Sequence, residues 1–483
     1  MKKIIAVDVG TTLLKCVLFD QNGNVLMQEQ LNCHLRYPMP GWVQQDAQFW
    51  YDGVCTLIGR FAEAYGAEDI AGICISSQGI SIVPVDAEYQ PLMEAVSWLD
   101  TRAEAEIAEM EKIFSADEWF AQTGKFISAC YTLPKILWLR KHCPELTERT
   151  YKYLLPMDYL NARMTDRAVT DHTMAAGTMC YRISSGAWDT EIMEKFGLDE
   201  SLFPEIILSG ELVGAINAET AQKTGLLTDT LVFNGGQDQK VAAFAAGITF
   251  QSASISLGTA GALEILVEDA SKQKLLPFFP YIHPNQTLVE GCINTAGAAI
   301  QWVKDTVFSN LSFDEMNSLA AASPVGSKSV QFYPHLSKPG TPHRGESQFG
   351  SIHGISLGVG RGELIRSLYE GLAYEIRLNL EQAYQAGGHT KALFIFGGGS
   401  KSEVFCQIIA DVTGLKVCAF ENGELCSIGA AKLALKGLRL DLEDFVTTAA
   451  GLVKEYLPDM ENVVAYKTLY MQYLQRYEKE NWK

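Results

Sequence analysis

Two short stretches of the 483-residue chain repeat one pattern about half its length apart, and this echo constrains the fold more than any other feature. Ile4-Ile5-Ala6-Val7 reads as a buried strand, Asp8-Val9-Gly10-Thr11-Thr12 as a turn, and residues 14–19 as a second strand. Asp20-Gln21-Asn22-Gly23-Asn24 is a tight turn of the Asn-Gly kind, with residues 25–30 as a third strand. Strand, Gly-Thr turn and strand return as Ser254-Ile255-Ser256-Leu257, Gly258-Thr259-Ala260-Gly261 and residues 262–267. Solenoid repeats recur every ~20–50 residues, so an echo this far apart implies a duplicated domain. The length also exceeds what one ordinary core accommodates. Two domains are expected, 1–246 and 247–483, with the boundary near Gly247.

Between and after the echoes, helical and strand-like segments alternate. Residues 46–65 have helical periodicity, and 70–76 form a short strand ending at Ser77-Gln78-Gly79. Helices are expected over 103–113, 133–142, 296–308, 313–322, 361–386 and 401–413, with a strand over 392–396. The mixture is α/β, with helices covering sheets. Composition narrows the partners. Lys and Arg total 39 against 57 Asp and Glu, a net charge of −18. Such a surface repels polyphosphate backbones, and no basic run offsets it, so no nucleic acid is expected. A small anionic ligand held by a metal ion and a few N–H groups remains compatible. Eleven cysteines stand at scattered positions without a C-x-x-C pair, which suits reduced thiols in a cytoplasm. After Met1-Lys2-Lys3, Asp8 ends the apolar run at four residues, short of the roughly 7–15 of a secretory leader. No stretch approaches the ~18–20 apolar residues of a membrane span, so no membrane partner is expected.

Three glycine-bearing segments and one acid carry the chemistry. In Asp8-Val9-Gly10-Thr11-Thr12 a glycine lets backbone approach a ligand, and two hydroxyls can donate to phosphate oxygens. Asp8 cannot meet phosphate directly but can hold Mg²⁺ through water. An ordinary hairpin turn with a capping Asp is the alternative, and the pentapeptide alone does not choose. Gly258-Thr259 has the same core without the acid, and Gly397-Gly398-Gly399-Ser400 leads from a strand into a helix, where bare backbone suits a nucleotide. Phe233-Asn234-Gly235-Gly236-Gln237-Asp238-Gln239-Lys240 runs an apolar strand into two glycines and presents Asp238 before an alanine-rich helix. A carboxylate there either caps the helix or serves as a base. A cap needs no flanking glycines, whereas a base aimed at a hydroxyl needs open backbone around it.

Taken together, these residues resemble the FGGY carbohydrate kinases, over nearly the whole chain from Ile4 to about Leu435. Asp8-Val9-Gly10-Thr11-Thr12 resembles the family's first phosphate motif and Ser256-Leu257-Gly258-Thr259 the second. Gly235-Gly236-Gln237-Asp238-Gln239 is similar to the segment with the catalytic aspartate. Ala296-Gly297-Ala298-Ala299-Ile300-Gln301-Trp302 is similar to an ATP-contacting helix start, and Gly398-Gly399-Ser400-Lys401-Ser402 to an adenosine motif. Pro134-Lys135-Ile136-Leu137-Trp138-Leu139, and Gly350-Ser351-Ile352-His353-Gly354-Ile355 with Glu363-Leu364, resemble the two family signatures. The resemblance implies two ribonuclease H-like domains of the actin/Hsp70 type, mixed sheets flanked by helices, and a central cleft that closes over sugar and ATP. It implies Asp238 as catalytic base and Asp8 as the Mg²⁺ residue. Thr11, Thr12, Gly258, Thr259, Gly297, Gln301, Gly398, Gly399 and Ser400 would hold the nucleotide. It also implies a homodimer.

For the acceptor, the resemblance points to Gln78, to Trp98, Asp100 and Arg102 of Trp98-Leu99-Asp100-Thr101-Arg102, and to Asp238 and Gln239. Trp98 could stack on a sugar face. Asp100 and Arg102 could bond hydroxyls, or each other as an ion pair that orders the loop. The outline is nearest the family's xylulose kinases, which makes D-xylulose the first acceptor to expect. Those relatives and gluconate kinases carry Met-His where this chain has Gly79-Ile80-Ser81, and Glu-Arg where it has Pro339-Gly340 after Lys338. Ribulose, erythrulose, glycerol and gluconate are therefore alternatives. A non-catalytic ATP-dependent binding module is the alternative of another class. His335, His343 and His353 fit no usual zinc spacing and read as structural or surface residues.

Overall fold

The computed structural model describes residues 2–283, 285–337, 339–343, 349–440, 444–451 and 453–479. Its chain divides into two compact units. One holds Met1–Ala245, Phe279–Gln286 and Glu424–Ala449; the other holds Ala246–Phe278, Thr287–Gly423 and Ala450–Lys483. The first crossing falls beside Gly247, but the chain then returns to the first unit twice, so the units are not the two continuous spans expected.

In the first unit, β1 (Lys3–Val9), β2 (Leu13–Asp20) and β3 (Val25–Asn32) form an antiparallel meander. The Asp20 carboxylate closes the β2–β3 turn by accepting Asn22 N and Asn24 N at 2.9 Å each. Helix α1 (Ala47–Tyr65) begins where Asp46 accepts Phe49 N at 3.2 Å, and it buries Trp50, Val54, Leu57, Ile58 and Phe61 at helical spacing. Strand β4 (Ile70–Ser77) runs parallel to β1. The short α2 (His172–Ala176), β5 (Leu212–Ala215), β6 (Leu231–Gln237) and α3 (Asp238–Ala246) follow. The sheet order is β5-β6-β4-β1-β2-β3.

The second unit repeats this plan. It contains β7 (Ser252–Leu257), β8 (Gly261–Val267), β9 (Thr287–Ile293), α4 (Gly297–Trp302), α5 (Phe313–Ala322), α6 (Arg361–Tyr384), β10 (Ala392–Phe396), α7 (Glu403–Thr413) and β11 (Lys416–Phe420). After α8 (Leu425–Gly437), which belongs to the first unit, β12 (Val453–Tyr456) and α9 (Met460–Lys479) complete it. Six strands run β9-β8-β7-β10-β11-β12 within a seven-stranded sheet, whose remaining strand, Phe278–Pro280, borders β9. Both sheets have an antiparallel meander, two further parallel strands and an antiparallel edge strand, which is the signature of a duplicated domain. Helix α8 covers β1, β4 and β6 in the first unit. It fits there because Gly429 and Gly437 leave no side chain. A Cβ would stand 2.3 Å from Val241 O at the former and 2.3 Å from the Phe233 ring at the latter.

Two expectations need correction. The helix expected over 401–413 begins at Glu403, because Gly398–Lys401 forms a 3₁₀ turn and Ser402 caps α7. The helix expected over 296–308 is α4 followed by a wider π turn, Val303–Val307. His335 and His343 are core groups. His343 Nε2 and Glu375 Oε2 of α6 are 2.9 Å apart, Tyr473 donates to Glu375 Oε1 at 2.8 Å, and Tyr477 hydrogen-bonds His335. Their ligand atoms and that of Glu375 lie within 4.8 Å of one another, but the tyrosine hydroxyls complete the set as a hydrogen-bonded knot. His353 pairs with Ser351. In the preceding loop Gly340 is pressed against Cys292 O, which a Cβ would meet at 1.8 Å; Lys338 lies outside the described residues.

Polar groups also fill the core behind β6. Burial pushes the Asp158 carboxyl, in the first turn of the helix Pro156–Thr165, up to about 8. A raised acid is held neutral by the fold. Its contribution to stability is complete below the ordinary value of about 3.9 and is lost as pH rises through 8. Asp158→Asn keeps the shape without the charge. The variant should gain on the wild type by on the order of 1 kcal/mol per pH unit between pH 5 and 8. Melting curves read this as a widening Tm difference; a pH-independent difference would contradict it.

Candidate active site

In the first unit, the register of β1 sets Asp8 opposite Lys15 of β2 and Ser76 of β4. Ser76 donates to Asp8 Oδ1 at 2.9 Å. Burial pushes the Asp8 carboxyl up to about 6, against the pull of Ser76 and of the Lys15 ammonium. Lys15 is itself ion-paired with Glu424, just before α8. The Thr11 hydroxyl is engaged at both ends: it donates to Gln78 Oε1 at 3.1 Å and accepts Trp98 Nε1 at 2.9 Å. Gln45 extends the network, donating to Thr11 O and accepting Gln78 Nε2, each at 2.8 Å. Thr12 is therefore the outward hydroxyl of this turn, and it is exposed.

Strand β6 aims Asp238 by breaking register. The pairing with β4 shifts between Phe233 and Gly236. The Asn234 amide holds the bulge by donating to Thr170 O at 3.1 Å and Ile207 O at 3.2 Å. Gly235 is obligatory, because a Cβ would lie 1.8 Å from Ile75 O. The glycines thus answer a packing demand that the open-backbone argument did not contain. Asp238 Oδ1 accepts Gln237 Nε2 at 2.5 Å and Gln239 N at 2.7 Å. A cap accepts from N–H groups two or three residues on, so these bonds are not those of a capping residue. The Gln239 side-chain oxygen is buried without a hydrogen-bond partner. Cys426 of α8 lies 3.5 Å from Asp238 O, and burial together with the carboxylates of Asp8, Asp238 and Glu424 pushes its thiol well up.

Trp98 is 38% exposed. Asp100 and Arg102 turn inward instead. Asp100 is fully buried and accepts Arg102 Nε at 2.9 Å, Arg102 Nη2 at 2.8 Å and Val43 N at 2.5 Å, while the guanidinium lies over Trp42. The pair is an internal ion pair that orders the loop, one of the two roles expected for it. Gly79-Ile80-Ser81 forms a three-residue turn. Ser81 N donates to Gly79 O at 2.7 Å, and Ile80 is held at φ +72°, a conformation β-branched residues rarely adopt.

In the second unit a cavity of about 920 Å³ is lined by Gly258, Thr259, Gly297, Gln301, Gly398 and Gly399 among others. Ala296 N and Ala298 N donate to Thr259 O, and Gly297 N to Gly258 O, at 2.9–3.1 Å, so the turn and the start of α4 are one piece. Trp302 and Phe313, both half-exposed, line the cavity with apolar surface. Ser400 does not line it: the 3₁₀ turn points Ser400 inward, and its hydroxyl donates to Gly397 O at 2.8 Å. Ser402 lines it instead and donates to Asn317 Oδ1 at 2.8 Å, beside a 2.9 Å bond from the Tyr369 hydroxyl. Asn317, Tyr369, Gln45, Lys15 and Glu424 were absent from the sequence reading. Each stands outside a glycine motif, and only its position after a strand or before a helix offered a signal.

An acid-bearing turn, a second Gly-Thr turn and a glycine-lined cavity on a duplicated α/β fold define a phosphotransferase of the sugar kinase type. The chain belongs to the FGGY family of carbohydrate kinases, matching the family's N-terminal domain over residues 3–245 and its C-terminal domain over 253–438. It is accordingly an enzyme that phosphorylates a sugar at the expense of ATP. It is 30% identical over 481 residues to a xylulose kinase of Bacillus subtilis, covering 97% of this chain and 95% of the relative. The crystal structure of xylulose kinase from Rhodospirillum rubrum superposes with a TM-score of 0.92 at 25% identity, covering 99% of both chains. That of Plasmodium falciparum glycerol kinase with ADP gives 0.87 at 21%, covering 99% of this chain and 98% of the other, a likeness of fold alone. Among the described residues no helix is long and apolar enough to cross a membrane.

Gly297→Ala tests the joint between turn and helix, since its Cβ would lie 2.5 Å from Gly258 O. The variant should lose at least tenfold in affinity for a non-hydrolysable ATP analogue by calorimetry, with sugar binding retained. Unchanged nucleotide affinity would remove this contact from the nucleotide site.

Proposed function

We propose that this kinase transfers the γ-phosphoryl group of ATP to D-xylulose, with Asp238 as the base. The observation that carries the acceptor is the 30% identity to a xylulose kinase along 97% of the chain. The bulge in β6 supports the base, because it presents Asp238 at the end of an otherwise buried strand. Gln239 supports acceptor binding: a buried oxygen without a donor is costly by about 1–3 kcal/mol, and a sugar hydroxyl would satisfy it. Trp98 forms the remaining apolar acceptor surface, and Gln78, buried behind it, holds the Thr11 hydroxyl that Trp98 Nε1 bonds.

Asp238 accepts the hydroxyl proton as that oxygen attacks phosphorus and the bond to ADP breaks. The barrier to such a transfer falls chiefly through positioning and charge neutralisation. The Thr12 and Thr259 hydroxyls would donate to phosphate oxygens, and Trp302 and Phe313 would flank the adenine. Asp8 fits Mg²⁺ held through water, since its carboxylate faces a hydroxyl and an ammonium beside the first turn. Bound Mg²⁺ would neutralise charge on the β- and γ-phosphates. Eleven cysteines at scattered positions, without a C-x-x-C pair, support a reducing, cytoplasmic location.

Ile80 favours a second reading. The strained turn replaces the Met-His of xylulose and gluconate kinases, so another small acceptor, such as ribulose, erythrulose, glycerol or gluconate, also fits this position. A coupled ADP-release assay over these five compounds decides. Turnover highest with D-xylulose is expected; a higher kcat/KM for another acceptor selects it instead. Asp238→Asn should lower kcat at least 10²-fold while an ATP analogue still binds. An active variant would remove Asp238 from the base role.

A further inference from the structure

The Asp238 segment is gripped from behind by a relay of buried groups outside the roles above. Asp171, at the start of α2, accepts Thr173 N and Met174 N at 3.0 Å each, the Thr173 hydroxyl at 2.8 Å and the Ser209 hydroxyl at 2.9 Å. Thr173 Oγ1 in turn accepts Gln237 N at 2.8 Å. Gln237 then donates through its side chain to Asp238 Oδ1 at 2.5 Å. Asp171 and Thr173 are each 1% exposed, so water does not replace either partner. The backbone is seated just as closely. A Cβ on Gly236 would stand 3.0 Å from Thr173 Oγ1 and 3.2 Å from Asp171 Oδ2, which explains the second glycine of the pair.

We infer that Thr173 is a positioning residue for phosphoryl transfer: oriented by Asp171, its hydroxyl fixes Gln237 and thereby the Asp238 carboxylate. A hydroxyl has one proton, and Asp171 takes it. The oxygen lone pairs are then left facing the Gln237 N–H. Valine has the same shape and can neither donate nor accept. With valine, the buried N–H would lose its partner and the segment would shift to satisfy it. Displacing a reacting group by 1 Å can slow a reaction by about 10²-fold. The effect belongs to kcat, because Asp171 and Thr173 are buried and act only through the Asp238 segment.

This inference rests on Asp238 being the base, and its test separates the two. Thr173→Val, Thr173→Ser and Asp238→Asn are assayed side by side in the full-length enzyme with Mg-ATP and D-xylulose, or the best acceptor of the panel. Thr173→Val should lose tenfold to a hundredfold in kcat with both KM values within threefold of wild type, and Thr173→Ser should restore kcat to within threefold. Wild-type kcat in Thr173→Val, or an equal loss in Thr173→Ser, would overturn the relay. Should the valine variant fail to fold, the serine variant decides alone: a loss above tenfold overturns the inference. A wild-type valine variant beside an inactive Asp238→Asn rejects the relay and leaves the base standing. An active Asp238→Asn rejects the base whatever Thr173 does.

Discussion

The closest approach in the first unit is the one on which its chemistry depends: β6 lies so near β4 at Gly235 that the Ile75 carbonyl occupies the space of a side chain. Two parallel strands cannot stay in register through such a contact, and the pairing breaks between Phe233 and Gly236. The break turns the strand end outward and leaves backbone groups that need partners. Gly210 N donates to Asn234 O and Asn234 N to Glu211 O on one side, and the Thr173 hydroxyl accepts Gln237 N on the other. A strand in regular register would continue its alternation and bury one of every two side chains. Past the bulge the pairing resumes at Gly236 and Gln237, and Asp238 then opens α3.

The duplication then divides the work. Both units carry a meander whose first turn is rich in glycine and threonine; the first adds the acid Asp8, and the second adds a glycine-lined cavity with aromatic walls. The first unit concentrates Asp8, Asp238 and Glu424 around Cys426, with Lys15 as partner to Glu424. Burial raises the Asp8 carboxyl to about 6, with a smaller push from the Glu424 carboxylate and an opposing pull from Ser76 and Lys15. Such a cluster is stable only with cations present, and the Lys15 ammonium meets part of that demand. In the second unit the neutral Thr259 turn, locked to α4, offers backbone N–H groups and no opposing charge. The chain's net charge of −18 does not decide what this cavity accepts, because its lining sets glycine backbone, Trp302, Phe313 and Lys401 beside Asp305 and Asp314.

What the sequence disclosed was local. The Gly-Thr turns, the Asp20–Asn24 turn, α1 from its Asp46 cap and the strand before Gly397 all follow from residues within a few positions of one another, and turn chemistry and period decide them. The α8 return was hidden because its Gly429 and Gly437 have meaning only against Val241 and Phe233, some two hundred residues away. The start of α7 was misread because three glycines and a serine admit either a helix or a 3₁₀ turn, and the Ser402 cap decides it. Ser400 and Ser402 exchanged places for the same reason. Asp100 and Arg102 were visible as charged residues, but their burial under Trp42 and Trp138 was not. The glycines at 235 and 236 were noticed correctly and explained wrongly: they are there for Ile75 and Thr173, and the exposure of Asp238 is the consequence.

The central claim is that this bulged strand delivers Asp238 to the hydroxyl being phosphorylated. A crystal structure with D-xylulose, or the acceptor that turns over best, and a non-hydrolysable ATP analogue tests it most directly. One carboxylate oxygen of Asp238 should lie within about 3.2 Å of one acceptor hydroxyl, the distance a general base requires. If the hydroxyl facing the γ-phosphate is bonded to a different group, with Asp238 out of hydrogen-bonding reach, the account is wrong.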